Sequence, residues 1–258
     1  MVRAVDIKDR QAKIAEYVLA NGFTSIEDLM ALFNVSRMTV HRDLNDLERS
    51  QLIQKVRNGA SAESSKNFDS DFRYRERVNI PQKEAMCRIA STLLNDGMSI
   101  FLDDSTSVLY LIQYFKNFKS LTVITPSLPA INEIIKIPEI DLIILGGEYR
   151  LKFQSTYGFF CTSTISKIHA DLSIISPHSY ITGSVFEHEQ EAVSVKRTMM
   201  ENSEKNMILM DNAKFKQTTL YLLARIHEFD YVIVDNLVPA QIVEELKSLS
   251  KTLLITNQ

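Results

Sequence analysis

Glycine is scarce in this chain, at 7 residues of 258, against roughly 7% in an average protein. That shortage excludes Gly-rich linkers, collagen-like repeats and most glycine-built nucleotide loops. Cysteine is scarcer still. Cys87 and Cys161 are the only two, too few for a disulfide scaffold and without a metal-type spacing. No uninterrupted apolar run approaches the ~18 residues that span a bilayer. The opening stretch MVRAVDIKDRQ lacks the apolar segment of a secretory signal. Charge of one sign is missing as well: 29 Lys and Arg against 32 Asp and Glu leave −3, so no overall field marks a polyanion binder. These absences predict a reducing, cytoplasmic chain with no membrane contact, no metal and no cofactor. Any nucleic-acid activity must be local.

What is present is ordinary globular material, 45% hydrophobic and 24% charged, in a chain long enough for two domains. Residues 1–60 carry short helical patterns. Ile14, Tyr17 and Val18 form a helical stripe ending at Asn21-Gly22, a C-terminal signal. Thr24 or Ser25 caps a second helix, with Glu27 and Asp28 in its first turn. Its apolar side is Ile26, Leu29, Met30, Leu32 and Phe33. After the turn Asn34-Val35, Ser36 caps a third helix, which carries Val40, Leu44 and Leu47 and ends near Ser50. Leu52 to Val56 alternates as a strand and Arg57-Asn58-Gly59 turns it. Three short helices and a hairpin make a winged helix-turn-helix.

Residues 61–80 read as a linker, small and polar at Ser61 to Asn67, then charged through Arg73-Tyr74-Arg75-Glu76-Arg77, turning helical late and closing near Pro81. Over residues 81–258 the pattern alternates. Strand candidates are Ser99–Asp103, Leu121–Thr125, Asp141–Leu145, Asp171–Ser176, Met207–Met210, Asp230–Val234 and Thr252–Ile255. These short β-branched runs suit strands covered on both faces. Helices fall between most of them, as at Lys83–Asn95, Pro129–Lys136 and Glu187–Asn202, while Tyr149–Gly158 is less regular. The predicted fold class is therefore α/β, a small winged helix-turn-helix followed by a larger domain with a mostly parallel sheet.

The third helix carries the functional prediction. With Val40, Leu44 and Leu47 buried, its other face presents Arg37, Met38, His41, Arg42 and Asn45. A helix fits the major groove and its N-terminal residues reach base edges. Ser36 and Thr39 suit phosphate oxygens at the helix start, and Lys55 and Arg57 lie where a wing passes the DNA backbone. Residues 1–60 hold nine basic and eight acidic side chains, a balance of +1, and the rest carry −4. The sign is right but the contrast small. From periodicity alone, Arg37 and Arg42 pairing with Asp43, Asp46 or Glu48 on a solvated helix is nearly as good a reading.

The motif decides between them. Ser36, Thr39, Val40, His41, Arg42, Asp43 and Leu44, with Arg10 and Ile14 before them and Asn58-Gly59-Ala60 after, closely resemble the DeoR family of bacterial transcriptional regulators. Val40, His41 and Asn58 depart from the family pattern, and His41 removes a permanent cation. The resemblance continues through Ile100–Asp103, Leu145–Arg150, Gly158, Lys196-Arg197, Asp211 to Phe215 and Asp230–Asp235. It implies that the second domain resembles ribose-5-phosphate isomerase and senses a phosphorylated sugar. Asp103–Ser107, Gly146-Gly147 and Asp211–Lys214 each follow a strand candidate, where such sheets bind ligands. The implied effector site is Asp103, Ser105, Thr106, Ser107, Gly146, Gly147, Arg150, Lys196, Asp211 and Lys214. Ser105 replaces a family glycine, Pro126 an asparagine, and Pro177-His178 stands among small residues in the family. A family glutamate falls on Ala192, with Glu191 one place off. Together these suggest a sensor retuned to an atypical ligand or weak toward sugar phosphates.

The expected activity is thus a DNA-binding repressor of a carbohydrate-utilisation operon, not an enzyme. Its expected partners are a double-stranded operator and a phosphorylated small-molecule effector, and it works as a homo-oligomer on paired half-sites. One alternative is an isomerase-like or CoA-transferase-like enzyme fused to a DNA-binding module, with Asp211 and Lys214 as acid and base. Another is a regulator with a vestigial sensor. The run from Glu187 to Glu189 reads as a solvated helix start rather than a metal site, and Cys87, Met199-Met200 and Phe159-Phe160 read as core.

Overall fold

The computed structural model describes residues 2–21, 23–49, 53–61, 72–76, 78–215 and 219–257. It divides into two compact units, Met1–Arg75 and Glu76–Gln258. The predicted signals at Gly22, Ser50 and Leu52, most of the linker prediction and Arg77 lie outside the described residues.

The first unit runs α1 (Val2–Asn21), β1 (Phe23–Ser25), α2 (Ile26–Phe33), α3 (Arg37–Arg49), β2 (Gln54–Val56), β3 (Gly59–Ser61) and the short α4 (Phe72–Arg75). The first helix is longer than its apolar stripe suggests. Ser25 caps α2, its Oγ accepting from the Asp28 amide at 3.0 Å. Asn34 ends α2 in a left-handed conformation at φ 49°, which asparagine tolerates better than most residues. Ser36 Oγ accepts from the Thr39 amide at 3.2 Å and opens α3. Ile14, Val18, Leu29, Val40, Leu44 and Leu47 close one core between the helices and the sheet. The wing is an antiparallel sheet in the order β1-β3-β2, so the hairpin gains a third strand the alternation did not reveal. Gly59 is what lets β3 approach β1. A Cβ there would stand 2.3 Å from the Thr24 carbonyl oxygen, inside any real contact distance.

The second unit begins with α5 (Ile80–Ser91), β4 (Ser99–Leu102), α6 (Thr106–Leu109), β5 (Leu121–Thr125), α7 (Leu128–Ile134) and β6 (Ile140–Ile144). A hairpin of β7 (Glu148–Arg150) and β8 (Ser155–Tyr157) fills the region that reads as irregular, and α8 (Phe159–Ile165) and β9 (Ala170–Ile175) follow. Then come β10 (Ser179–Ile181), β11 (Ser184–Glu187), α9 (Gln190–Glu201), β12 (Ser203–Met210), β13 (Tyr221–Arg225), β14 (Tyr231–Val234), α10 (Ala240–Leu249) and β15 (Leu253–Ile255). Seven strands form one parallel sheet in the order β15-β14-β12-β9-β4-β5-β6, and β10-β11-β13 form a small antiparallel one. Side chains alternate between its faces. Ile100, Leu102, Val123, Ile174 and Leu209 pack with residues of α5 and α7, while Ile208, Met210, Val232 and Val234 join Leu246 of α10 on the other. All seven predicted strands of this sheet are present with ends shifted by a few residues. The predicted helix from Glu187 is corrected. Glu187 ends β11, paired with Tyr221, and α9 starts at Gln190.

Two predictions about the interior diverge. Cys87 and Met199 are fully buried, as core residues should be, but Phe159 and Phe160 are 77% and 72% exposed. Both rings stand at the start of α8, immediately after Gly158, before the buried Cys161 and Ile165 set that helix's inner face. Hydrophobicity alone misassigned them.

Gly59→Ala should destabilise the winged unit by about 1–3 kcal/mol, the usual cost of overpacking, because the obstructing atom is backbone. Denaturant unfolding followed at a probe in this unit should show its midpoint falling while the second unit's transition is unmoved.

Candidate functional sites

Helix α3 presents the first candidate surface. Val40, Leu44 and Leu47 are buried and Arg37, Met38, Arg42 and Asn45 are exposed, with Thr39 and His41 half-buried. The alternative, in which Arg37 and Arg42 pair with Asp43, Asp46 or Glu48 of their own helix, is not what the structure has. Arg37 meets Glu27 of α2 at 3.2 Å, an exposed pair of small energetic consequence. Arg42 has no ion-pair partner among the described residues. Asp43 instead points inward at 1% exposure and accepts from Arg10 of α1 through Nε at 2.7 Å and Nη2 at 3.2 Å. This two-point bond fixes the rotation of α3 about its axis. Lys55 Nζ donates to Asn45 Oδ1 at 2.7 Å, and the Lys55 amide to Glu48 at 2.9 Å, which locks the wing to the helix. Arg57 is exposed in the wing turn, beside Asn58 at φ 66°. The hydroxyls of Ser36 and Thr39 lie 2.9 Å apart, exposed at the helix start.

The second site is built by sheet topology. From β4 the chain adds β5 and β6 on one side, then crosses to β9, β12, β14 and β15 on the other. The carboxyl ends of β4 and β9 therefore frame the point where strand order reverses, the position at which such sheets bind ligands. Asp103 follows β4, Ser176 follows β9 and Asp211 follows β12. Asp103 Oδ1 accepts from the Ser105 amide at 2.9 Å and Oδ2 from the Ser176 amide at 2.9 Å. Lys196, reaching in from α9, is 4% exposed. Its ammonium contacts Ser176 O at 2.7 Å, Glu187 Oε1 at 2.6 Å and Asp103 Oδ2 at 3.0 Å. Burial alone would lower the Lys196 pKa, but Asp103, Glu187 and Asp104 together hold it above the usual lysine range. Burial pushes the Glu187 carboxyl up despite the adjacent lysine, since three carboxylates share one ammonium.

Glu187 is thus the buried partner of Lys196, not part of a solvated helix start. Ala192, the position of the expected glutamate, is buried. Glu191 lies at the surface, bonded to Arg150 at 2.9 and 3.1 Å. Arg150, with Glu148 at 3.1 Å as a second partner, is drawn outward and does not join the cluster. Ser105, Thr106 and Ser107 are buried at the start of α6, where Ser105 Oγ accepts from the Val108 amide at 3.4 Å. Thr106 Oγ1 accepts from Lys83 at 3.1 Å. Gly146 and Gly147 follow β6, two strands from β4. At Gly147 φ is 150° and a Cβ would meet Tyr157 O at 2.2 Å, so the β8 backbone dictates this glycine. Asp211 Oδ1 accepts from the Ala213 amide at 3.0 Å, turning the short helix Asn212–Phe215 that carries half-buried Lys214.

Sequence reasoning missed Lys83, Asp104, Tyr157, Ser176 and Glu187. Asp104 accepts a hydrogen bond from Tyr157 in the buried interior beside this cluster. Lys83 was legible. It is buried on the same stripe of α5 as Met86, Cys87 and Ala90, and a lysine on an apolar stripe signals a buried counter-charge. His178, half of the Pro177-His178 departure, is buried with its ring 3.6 Å from that of His188.

Lys196→Met should lower unfolding free energy by about 3–5 kcal/mol, because it strands buried carboxylates without their cation. Glu187→Gln, which removes charge and burial penalty together, should cost far less. Denaturation of the two variants at neutral pH orders them.

Residues 10–66 match the DeoR-like helix-turn-helix domain and residues 78–236 the DeoR C terminal sensor domain. The chain is 29% identical over 231 residues to the L-fucose operon activator of Haemophilus influenzae, covering 89% of this chain and 92% of that one. It is 27% identical over 238 residues to the glycerol-3-phosphate regulon repressor of Escherichia coli, covering 92% and 94%. Among solved structures it is similar to ribose 5-phosphate isomerase A from Methanocaldococcus jannaschii, with 16% identity, a TM-score of 0.37 and about half of each chain covered (52% and 53%). With both domains matched, the helix-turn-helix over residues 10–66 and the sensor domain over residues 78–236, the chain belongs to the DeoR family of transcriptional regulators.

Proposed function

We propose that this regulator represses a carbohydrate-utilisation operon and that a phosphorylated sugar or related metabolite, bound at the carboxyl edge of β4, β9 and β12, alters its operator affinity. The observation that carries the DNA half is the outer face of α3. Arg37, Met38, Arg42 and Asn45 are exposed, Val40, Leu44 and Leu47 are buried on the back of the helix, and buried Asp43 is anchored by Arg10. In this reading Arg42 and His41 meet base edges, Arg37 stands near the entry of the helix, and Ser36, Thr39, Lys55 and Arg57 hold phosphates. The sensor half rests on Asp103, Ser105, Thr106, Ser107, Gly146, Gly147, Asp211 and Lys214 at the strand ends, with Lys196 as internal counter-ion. Arg150 stands at the rim, held by Glu191 and Glu148. The relatives named for fucose and glycerol-3-phosphate control support a carbohydrate-derived effector. That effector must bind the DNA-competent and DNA-incompetent states with different affinity to act at all. We read the chain as a cytoplasmic homo-oligomer without a catalytic role. Asp211, which would be the acid or base of an isomerase, has a structural use here, its Oδ1 accepting from the Ala213 amide at 3.0 Å.

Selection of genomic duplex fragments on the purified chain supplies the operator. On it, Arg42→Ala should weaken binding by about 1–3 kcal/mol, roughly five- to 150-fold, with thermal melting unchanged. Unchanged affinity in a gel shift contradicts the assigned face. Lys214→Ala should retain operator affinity and abolish release by whichever phosphorylated sugar, from a panel titrated by calorimetry, releases the parent protein. If the variant still responds, Lys214 has no part in the site.

A further inference from the structure

The first turn of α3 carries a large apolar side chain that the core does not take up. Met38 is 74% exposed, more than any other large hydrophobic residue described in the winged unit, where Phe23 and Leu32 follow at 53% and 52%. At 3.6 residues per turn, buried Leu47 and Val40 lie about 180° and 160° around the helix from it. Met38 therefore projects from the middle of the outer face. Arg42 and Asn45, also exposed, lie about 40° and 20° from the same line. The Arg10–Asp43 bond fixes this rotation, so α3 does not roll Met38 inward while that bond holds.

The polar groups beside it are engaged sideways. Arg37, one position before, pairs with Glu27 of α2 at 3.2 Å. Asn45 Oδ1 accepts from Lys55 of the wing at 2.7 Å. The leading point of the helix is thus an apolar chain, backed one turn later by His41 and Arg42.

We infer that Met38 is a specificity-determining residue that reads the C5-methyl group of a thymine in the operator, a role that rests on the regulator reading of α3. A thioether has no donor and is only a weak acceptor, so it adds nothing to phosphate binding. On the base edges of the major groove the apolar group is the thymine methyl, and the N-terminal residues of a recognition helix are those that reach these edges. Contact there removes both apolar groups from water, and an unbranched, flexible chain adapts to the approach. Arg42 follows four residues later, about 6 Å along the axis. At roughly 3.4 Å per base pair, the thymine falls within about two pairs of the base that Arg42 meets.

On a duplex selected from genomic fragments, replacing each thymine in turn by deoxyuridine removes the methyl and leaves the pairing edge intact. Equilibrium binding of the full-length parent, Met38→Ala and Met38→Leu is then measured on every duplex. At one thymine position the parent should lose about fourfold in affinity, the worth of one buried methyl group. Met38→Ala should bind the thymine and deoxyuridine duplexes equally at that position and match the parent's response at the others. Met38→Leu, still long and apolar, should keep the discrimination. Helical content and Tm should hold in both variants, since alanine and leucine suit an exposed helical position. A parent indifferent to every substitution overturns the proposal, as does a Met38→Ala variant that loses as much as the parent at each thymine. Binding that falls with Arg42→Ala but shows no coupling between Met38 and any thymine overturns this inference alone. A parent that retains no duplex removes the DNA-reading function itself, and this role with it.

Discussion

A buried carboxylate sets the geometry of each working surface. In the sensor domain Asp103 sits where strand order reverses, almost wholly removed from water. A charge in that position is tolerable only with a cation and amide donors around it. Meeting that demand recruits Lys196 from α9, the Ser105 amide from its own turn and the Ser176 amide from the neighbouring strand. Loop 103–107 and the end of β9 are thereby drawn into one rigid constellation. In the winged unit Asp43 plays the same part with Arg10. It pins a flank of α3 against α1, so the face carrying Arg42 must point away. Position of function follows from neutralising charge.

Conserving one counter-ion among three carboxylates has a consequence for the ligand. Lys196 is saturated by Ser176, Glu187 and Asp103, so it contributes shape and rigidity rather than a vacant positive charge. Thr106 is engaged by Lys83 and Asp104 by Tyr157. In the proposed effector site Asp103 and Glu187 are buried while Lys214 is half-buried. The departures at Ser105 and Ala192 fit this arrangement. Glu187, on a different element from Ala192, is the glutamate that meets Lys196.

Much of this was legible before any coordinates. The short β-branched runs gave the central sheet because strands covered on both faces have no alternation to lose, and Ser25 and Ser36 marked helix starts because capping is a local act. What stayed hidden was non-local. The strand β11 is only four residues long and takes its identity from pairing with β13, so Glu187 read as the start of the polar helix beyond it. The partner of Arg10 lies 33 positions away. Phe159 and Phe160 read as core because periodicity reports hydrophobicity, whereas whether a turn points inward depends on Gly158 and the hairpin ahead of it.

In the proposed function the outer face of α3 and its tethered wing contact DNA. Hydrogen–deuterium exchange with and without a duplex selected from genomic fragments tests it most directly. Added protection over residues 36–49 and 54–61 is expected on binding. Protection confined to the sensor domain, with those two segments exchanging as in the free protein, would contradict it.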